Sequence, residues 1–122
     1  MNDNTEGDSA NVDALVRSIF LSFVRVHLLH HAALAPIYGI EMIDELARHG
    51  YQIGPGTIYP TLHALRDRGY LEEERQVVGG KVRKYYRITD RGREALTLLR
   101  PKVRELVGEV INERKASEHG GS

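Results

Sequence analysis

Gly79-Gly80-Lys81-Val82-Arg83-Lys84-Tyr85-Tyr86-Arg87-Ile88 is the stretch that decides the fold. The paired glycines accept positive φ at low cost, and the alternating residues after them form one strand of a hairpin whose other strand runs from Tyr70 to Val78. Alternation sends Arg83, Tyr85 and Arg87 to one face and Val82, Lys84, Tyr86 and Ile88 to the other. Tyr86 shares parity with Ile88 and is expected in the core, which leaves Tyr85 as the tyrosine free for contact.

Upstream of the hairpin lie two short helical patterns. Ala35-Pro36 breaks the chain, and a helix from about Tyr38 to His49 offers Ile40, Ile43, Leu46 and Ala47 as its apolar face before Gly50 stops it. The next helix runs to about Arg68 and buries Ile58, Leu62 and Leu65. Its start is open: Gly54 caps it with Pro55 at the first position, or Thr57 caps it and leaves Pro60 in the first turn. The opposite face carries Gly56, Pro60, His63 and Asp67, flanked by Tyr59 and Arg66. Helix, turn, helix and basic hairpin in that order predict a mainly α fold with one small β-hairpin, an α+β winged helix-turn-helix.

The flanking segments read as helices that want a partner. From Val12 to His31 the residues Leu15, Val16, Ile19, Phe20, Phe23, Val24 and Leu28 cover most of a helical wheel, more than a small domain covers alone. After the Thr89-Asp90 cap, Leu96, Leu99, Val103, Leu106 and Val110 recur at the 3, 4, 3, 4 spacing of a helix pair, to about Lys115. Leu15, Ile19, Phe20 and Phe23 with Leu99, Val103, Leu106 and Val110 are therefore the expected dimer contacts, with a kink or break at Pro101. The resulting division is a disordered acidic arm over 1–11, a winged helix-turn-helix with its leading helix over 12–89, a dimerisation helix over 90–115, and a disordered tail over 116–122.

Composition narrows the function. The chain has 122 residues, one domain's worth, and balances 17 Lys and Arg against 17 Asp and Glu. The balance is not local: residues 1–62 hold 3 bases and 7 acids, residues 63–93 hold 9 and 5, and residues 94–122 hold 5 and 5. The basic excess falls on the hairpin, the asymmetry that binding to phosphate requires. A charge run alone would also suit a solvated surface hairpin, but aromatic interleaving after a helix-turn-helix favours a nucleic-acid wing. There is no cysteine, which fits a cytoplasmic protein and removes thiolate chemistry. The acidic start is not a signal peptide, and Arg25, His27 and His30 interrupt any membrane-spanning stretch.

Enzymatic readings find little support. Gly54-Pro55-Gly56 lacks the pattern of a phosphate-binding loop, and His63 has no sequence-assigned serine or carboxylate partner. No catalytic residue and no cofactor is expected. His27, His30 and His31 have a spacing that can bring two imidazoles, His27 and His31, to one metal, although histidines near a helix C-terminus also serve the dipole.

Four blocks of sequence carry a family likeness. Pro36-Ile37-Tyr38-Gly39-Ile40-Glu41-Met42-Ile43, Pro55-Gly56-Thr57-Ile58-Tyr59-Pro60-Thr61-Leu62, Leu65-Arg66-Asp67-Arg68-Gly69-Tyr70-Leu71 and Arg83-Lys84-Tyr85-Tyr86-Arg87-Ile88-Thr89-Asp90-Arg91-Gly92 closely resemble the PadR-type transcriptional regulators. The likeness spans roughly Phe23 to Leu96 and matches the short-tailed branch. Many relatives carry Ser where this chain has Gly54, which offers no side-chain cap. The resemblance implies a homodimer built from the first and last helices, DNA binding by the third helix and wing, and repression relieved by a small aromatic or hydrophobic effector near the dimer interface. The residues expected at double-stranded DNA are Thr57, Tyr59, Pro60, His63 and Arg66 in or beside the groove, with Lys81, Arg83, Lys84 and Tyr85 on the wing. Two other readings stay open: a metal or drug sensor of the same fold, and a winged-helix module that binds protein only.

Overall fold

The computed structural model describes residues 2–112, with side chains described from Asn11 onward. Its order is α1 (Asn2–Leu34), α2 (Gly39–Arg48), α3 (Pro55–Asp67), β1 (Leu71–Val78), β2 (Lys81–Ile88) and α4 (Asp90–Val110). This is the winged helix-turn-helix expected, α+β with helix predominating. The tail from Ala116 lies outside the described residues, and α4 ends at Val110, short of Lys115.

Two helix boundaries differ from the sequence reading for physical reasons. α1 begins at Asn2 and includes most of the segment expected to be a disordered arm. Once a helix is nucleated, each added residue gains a hydrogen bond for little further entropy, a propagation that a composition argument leaves out. α4 runs through Pro101 as one helix, without the break that is one of the two outcomes expected there. A proline removes one hydrogen bond from a helix, and a long helix with bonded turns on both sides can absorb that loss.

The core is one cluster drawn from every element. Val24, Leu28 and Leu29 of α1, Met42 and Leu46 of α2, Ile58, Leu62 and Leu65 of α3, Leu71, Tyr86 and Ile88 of the hairpin, and Leu96 of α4 are all buried. The three residues expected from α3 are the three observed. On α2 the inward face is Met42, Ile43 and Leu46, while Ile40 and Ala47 lie exposed, a correction to the face read from sequence. Buried Gly39 sets that rotation, because any Cβ there would lie 2.5 Å from the Tyr59 ring.

The wing is fastened at its base. β1 and β2 pair antiparallel from Leu71↔Ile88 to Val78↔Lys81, and the two-residue turn has φ of 59° at Gly79 and 79° at Gly80, as a type I′ turn demands. Ile37, in the linker before α2, adds a short third rung by exchanging backbone hydrogen bonds with Tyr86, 2.9 and 2.7 Å. At the other corner the Thr89 hydroxyl donates to the Gly69 carbonyl (2.6 Å) and accepts from the Gly92 N–H (3.1 Å), so one side chain caps α4 and ties it to the end of α3.

Candidate nucleic-acid interface

The start of α3 is settled in favour of Gly54. It is the N-cap, without a side-chain hydrogen bond, Pro55 occupies the first turn, and Pro60 sits inside the helix. Having no N–H, Pro60 leaves the exposed Gly56 carbonyl without an intrahelical donor, and the Thr61 hydroxyl bonds back to the Thr57 carbonyl at 2.7 Å. The surface of the helix is then Gly56, Pro60, Ala64 and Asp67, all exposed, at spacings 4, 4 and 3. Small side chains along this stripe allow backbone to approach a duplex closely. Ala64 was missed in the sequence reading, although the same spacing in the sequence points to it.

Not every residue expected at DNA lies on that stripe. Thr57 and Tyr59 are half-buried at its edge. His63 turns inward, its ring 6.4 Å from Tyr59 and 6.4 Å from Tyr86. Arg66 is committed within the chain: its guanidinium donates to Asp67 at 3.0 Å and to Glu73 of β1 at 2.8 Å. Hydrogen bonds to Asp67 and Glu73 push Arg66 further up, and the Arg66 bond holds Glu73 below its ordinary value. Arg66 therefore ties α3 to β1 of the wing.

Charge is sorted along the hairpin in the same way. Near the base, Glu73 takes Arg66 and lies 3.8 Å from Arg75, and Glu74 takes Arg87 at 2.7 Å. Toward the tip, Lys81, Arg83 and Lys84 are exposed, and among the described residues none of them has a carboxylate partner. Arg83 is stacked over the Tyr38 ring, 4.9 Å from its centroid, and Tyr85 meets that ring edge-on at 5.3 Å. Tyr38 thus holds the strand's cation in place. A notch of about 380 Å³ opens between α2, α3 and the wing, lined by Tyr38, Ile40, Tyr59, Val82, Arg83 and Lys84.

Elsewhere, apolar residues of α1 and α4 are left uncovered. Leu15, Val16, Ile19 and Phe23 of α1 and Val103, Leu106 and Val110 of α4 are exposed, Leu106 by 52% and Val110 by 60%. Phe20 differs from its neighbours because its ring packs on Tyr51 in the same chain, centroids 4.8 Å apart, and Leu99 is half-buried. A cleft of about 380 Å³ between the two helices is lined by Val26, His27, His30, Leu96, Arg100 and Val103. The His27 Nε2 is hydrogen-bonded to the Tyr51 hydroxyl at 3.1 Å, and burial lowers the His27 and His31 pKa.

The sequence profile of the transcriptional regulator PadR-like family matches residues 28–98, more than half the chain, from the end of α1 through the wing into α4. This chain belongs to the PadR-like family of transcriptional regulators. The PadR-like chain is 46% identical over 99 residues to the transcriptional regulator Rv3488 of Mycobacterium tuberculosis, covering 81% of this chain and 92% of that one. Its fold is similar to a PadR family regulator from Eggerthella lenta, with a TM-score of 0.65, 31% identity, and coverage of 84% and 95%. It is also similar to a PadR-like regulator from Bacillus cereus, with a TM-score of 0.69, 28% identity, and coverage of 75% and 90%. Among the described residues of this PadR-like protein no helix is long and apolar enough to cross a membrane.

Proposed function

We propose that the protein is a homodimeric repressor that binds a roughly palindromic operator through α3 and the wing. The observation that carries this reading is the sorting of charge on the hairpin. Acids at the base neutralise Arg66 and Arg87, and Lys81, Arg83 and Lys84 are left for phosphates beside a helix surface of small residues. Gly56, Pro60 and Ala64 let α3 enter a major groove, with Thr57 and Tyr59 at the groove edge, while Arg66 sets the angle between helix and wing.

The dimer follows from the uncovered faces of α1 and α4, with Leu15, Ile19 and Phe23 of one helix and Leu99, Val103, Leu106 and Val110 of the other as contacts. Two α3 helices then have to meet half-sites about one turn, roughly 34 Å, apart. An aromatic or hydrophobic effector in the cleft between α1 and α4 changes that spacing and releases the operator.

Fluorescence anisotropy with labelled duplex from the protein's own upstream region tests the reading. The expected result is binding that survives random competitor, tighter than random duplex by about a thousandfold or more at physiological salt. Equal affinity for both duplexes would remove operator recognition, and no affinity for either would favour a module that binds protein only.

A further inference from the structure

Beyond the winged helix-turn-helix surface, a different cluster of side chains joins α1 to α2. His31 lies near the end of α1, and Glu45 and His49 lie one helical turn apart at the end of α2, on one face. The Nε2 of His49 stands 3.4 Å from Oε1 of Glu45, and the Nε2 of His31 stands 4.0 Å from the same oxygen. One donor atom from each residue falls within 4.8 Å of the other two. The other oxygen of Glu45, Oε2, is held by Arg48, which fixes the carboxylate with Oε1 turned toward the histidines.

We propose that His31, Glu45 and His49 form a binding site for a borderline divalent cation of the zinc, cobalt or nickel class. Ligand distances of about 2.0–2.2 Å place neighbouring donors of a tetrahedral zinc about 3.4 Å apart, which the Glu45–His49 pair already satisfies. His31 reaches the same geometry by a side-chain shift of about 1 Å. Two imidazoles with one carboxylate suit these metals and do not suit magnesium or calcium, which prefer all-oxygen shells. The site is open on one side, because the His49 side chain is 50% exposed, so an ion can enter and a water can complete the tetrahedron. Arg48 supplies the orienting contact that metal-bound carboxylates usually have.

His27, the histidine the sequence paired with His31, is not in the set. Its Nε2 is engaged by Tyr51. The pairing that matters is long-range, between the helix leading into the domain and the first helix of the helix-turn-helix. An ion there clasps α2 to α1 and stiffens the joint beside the hydrophobic core.

The test is a titration of the untagged full chain with cobalt(II), followed by absorption, and with zinc(II), followed by calorimetry. The wild type should bind one ion per chain and show the intense visible bands of tetrahedral cobalt. Glu45→Gln and His49→Ala should each weaken binding by about tenfold or more, and Glu94→Gln, an exposed carboxylate on α4, should leave it unchanged. Zinc should also raise the Tm of the wild type and not that of Glu45→Gln. Three results would each overturn the site: the weak spectrum of octahedral cobalt in the wild type, zinc affinity in both ligand variants equal to the wild type, or no zinc-dependent rise in wild-type Tm. The wild-type spectrum and melting curve decide the matter even if a variant does not fold.

Discussion

Two glycines in α4 should respond to the same substitution with opposite signs. An alanine at Gly92 would place its Cβ 2.3 Å from the Tyr70 carbonyl oxygen and 2.7 Å from Cγ1 of Ile88. The first of these is backbone at the junction of α3 and the wing, where the Thr89 hydroxyl and N–H are also bonded, so it cannot swing away as a side-chain tip could. At Gly108 the added Cβ meets nothing within 4 Å. Replacing glycine by alanine within a helix ordinarily stabilises by about 0.5–1 kcal/mol, and Gly108→Ala should gain that much. Gly92→Ala sets the same gain against overpacking of about 1–3 kcal/mol in a site with a rigid wall, and the upper part of that range applies when backbone must move. The net expectation for Gly92→Ala is a loss of about 1–2 kcal/mol, or roughly 4–8 °C in Tm, read by urea and thermal unfolding at one protein concentration. Equal or higher stability of Gly92→Ala would refute the claim that α4 is wedged against the base of the wing.

Other outcomes follow from single contacts. The Tyr86 hydroxyl is buried without a partner among the described residues, so Tyr86→Phe should leave stability unchanged or raise it by up to about 1 kcal/mol; a clear loss in urea unfolding would mean that the hydroxyl is satisfied. Glu73 has its pKa lowered by Arg66 from an ordinary 4.5, so the tie is complete above that value and its contribution fades as pH falls through the lower folded value. Glu73→Gln should therefore flatten the acid limb of a Tm-against-pH curve, and an unchanged limb would show that the tie adds nothing. Val103→Glu with Leu106→Glu should convert the proposed dimer to monomer in sedimentation at micromolar concentration, since covering the roughly half of each native side chain still exposed is worth about 1 kcal/mol and a buried unpaired carboxylate costs more; a persistent dimer would move the interface off α4.

The order of elements was legible because each boundary carries local chemistry. Gly79-Gly80, Gly69 and Thr89-Asp90 punctuate the chain wherever it sits in space, and the buried residues of α3 repeat at spacings only a helix explains. The candidate site was legible only in outline. Counting bases from α3 through the hairpin located the wing, but a count does not know partners, and Arg66 and Arg87 turned out to be paired with Glu73 and Glu74, one from helix to strand and one across the hairpin. Periodicity placed His63 on the outer face of α3, but it stands next to buried Leu62, and its ring leans toward Tyr59 and Tyr86 and is half-buried there. The meeting of His31 with Glu45 and His49 depends on how α1 crosses α2, which no local pattern records. On α2, Ile40 read as core because it is apolar, yet buried Gly39 sets the phase and leaves Ile40 in the notch beside the wing.

The central claim is that the wing's unpaired cations meet phosphates, and the salt dependence of DNA affinity tests it most directly. Wild type and a Lys81→Ala, Arg83→Ala, Lys84→Ala variant are compared by anisotropy on the same duplex across a range of potassium chloride. Each lost phosphate contact should reduce the slope of log K against log salt by about 0.9, so three per subunit in a dimer should flatten it by about 5. A slope identical to the wild type's would show that the wing does not touch the duplex, and the proposed interface would fall with it.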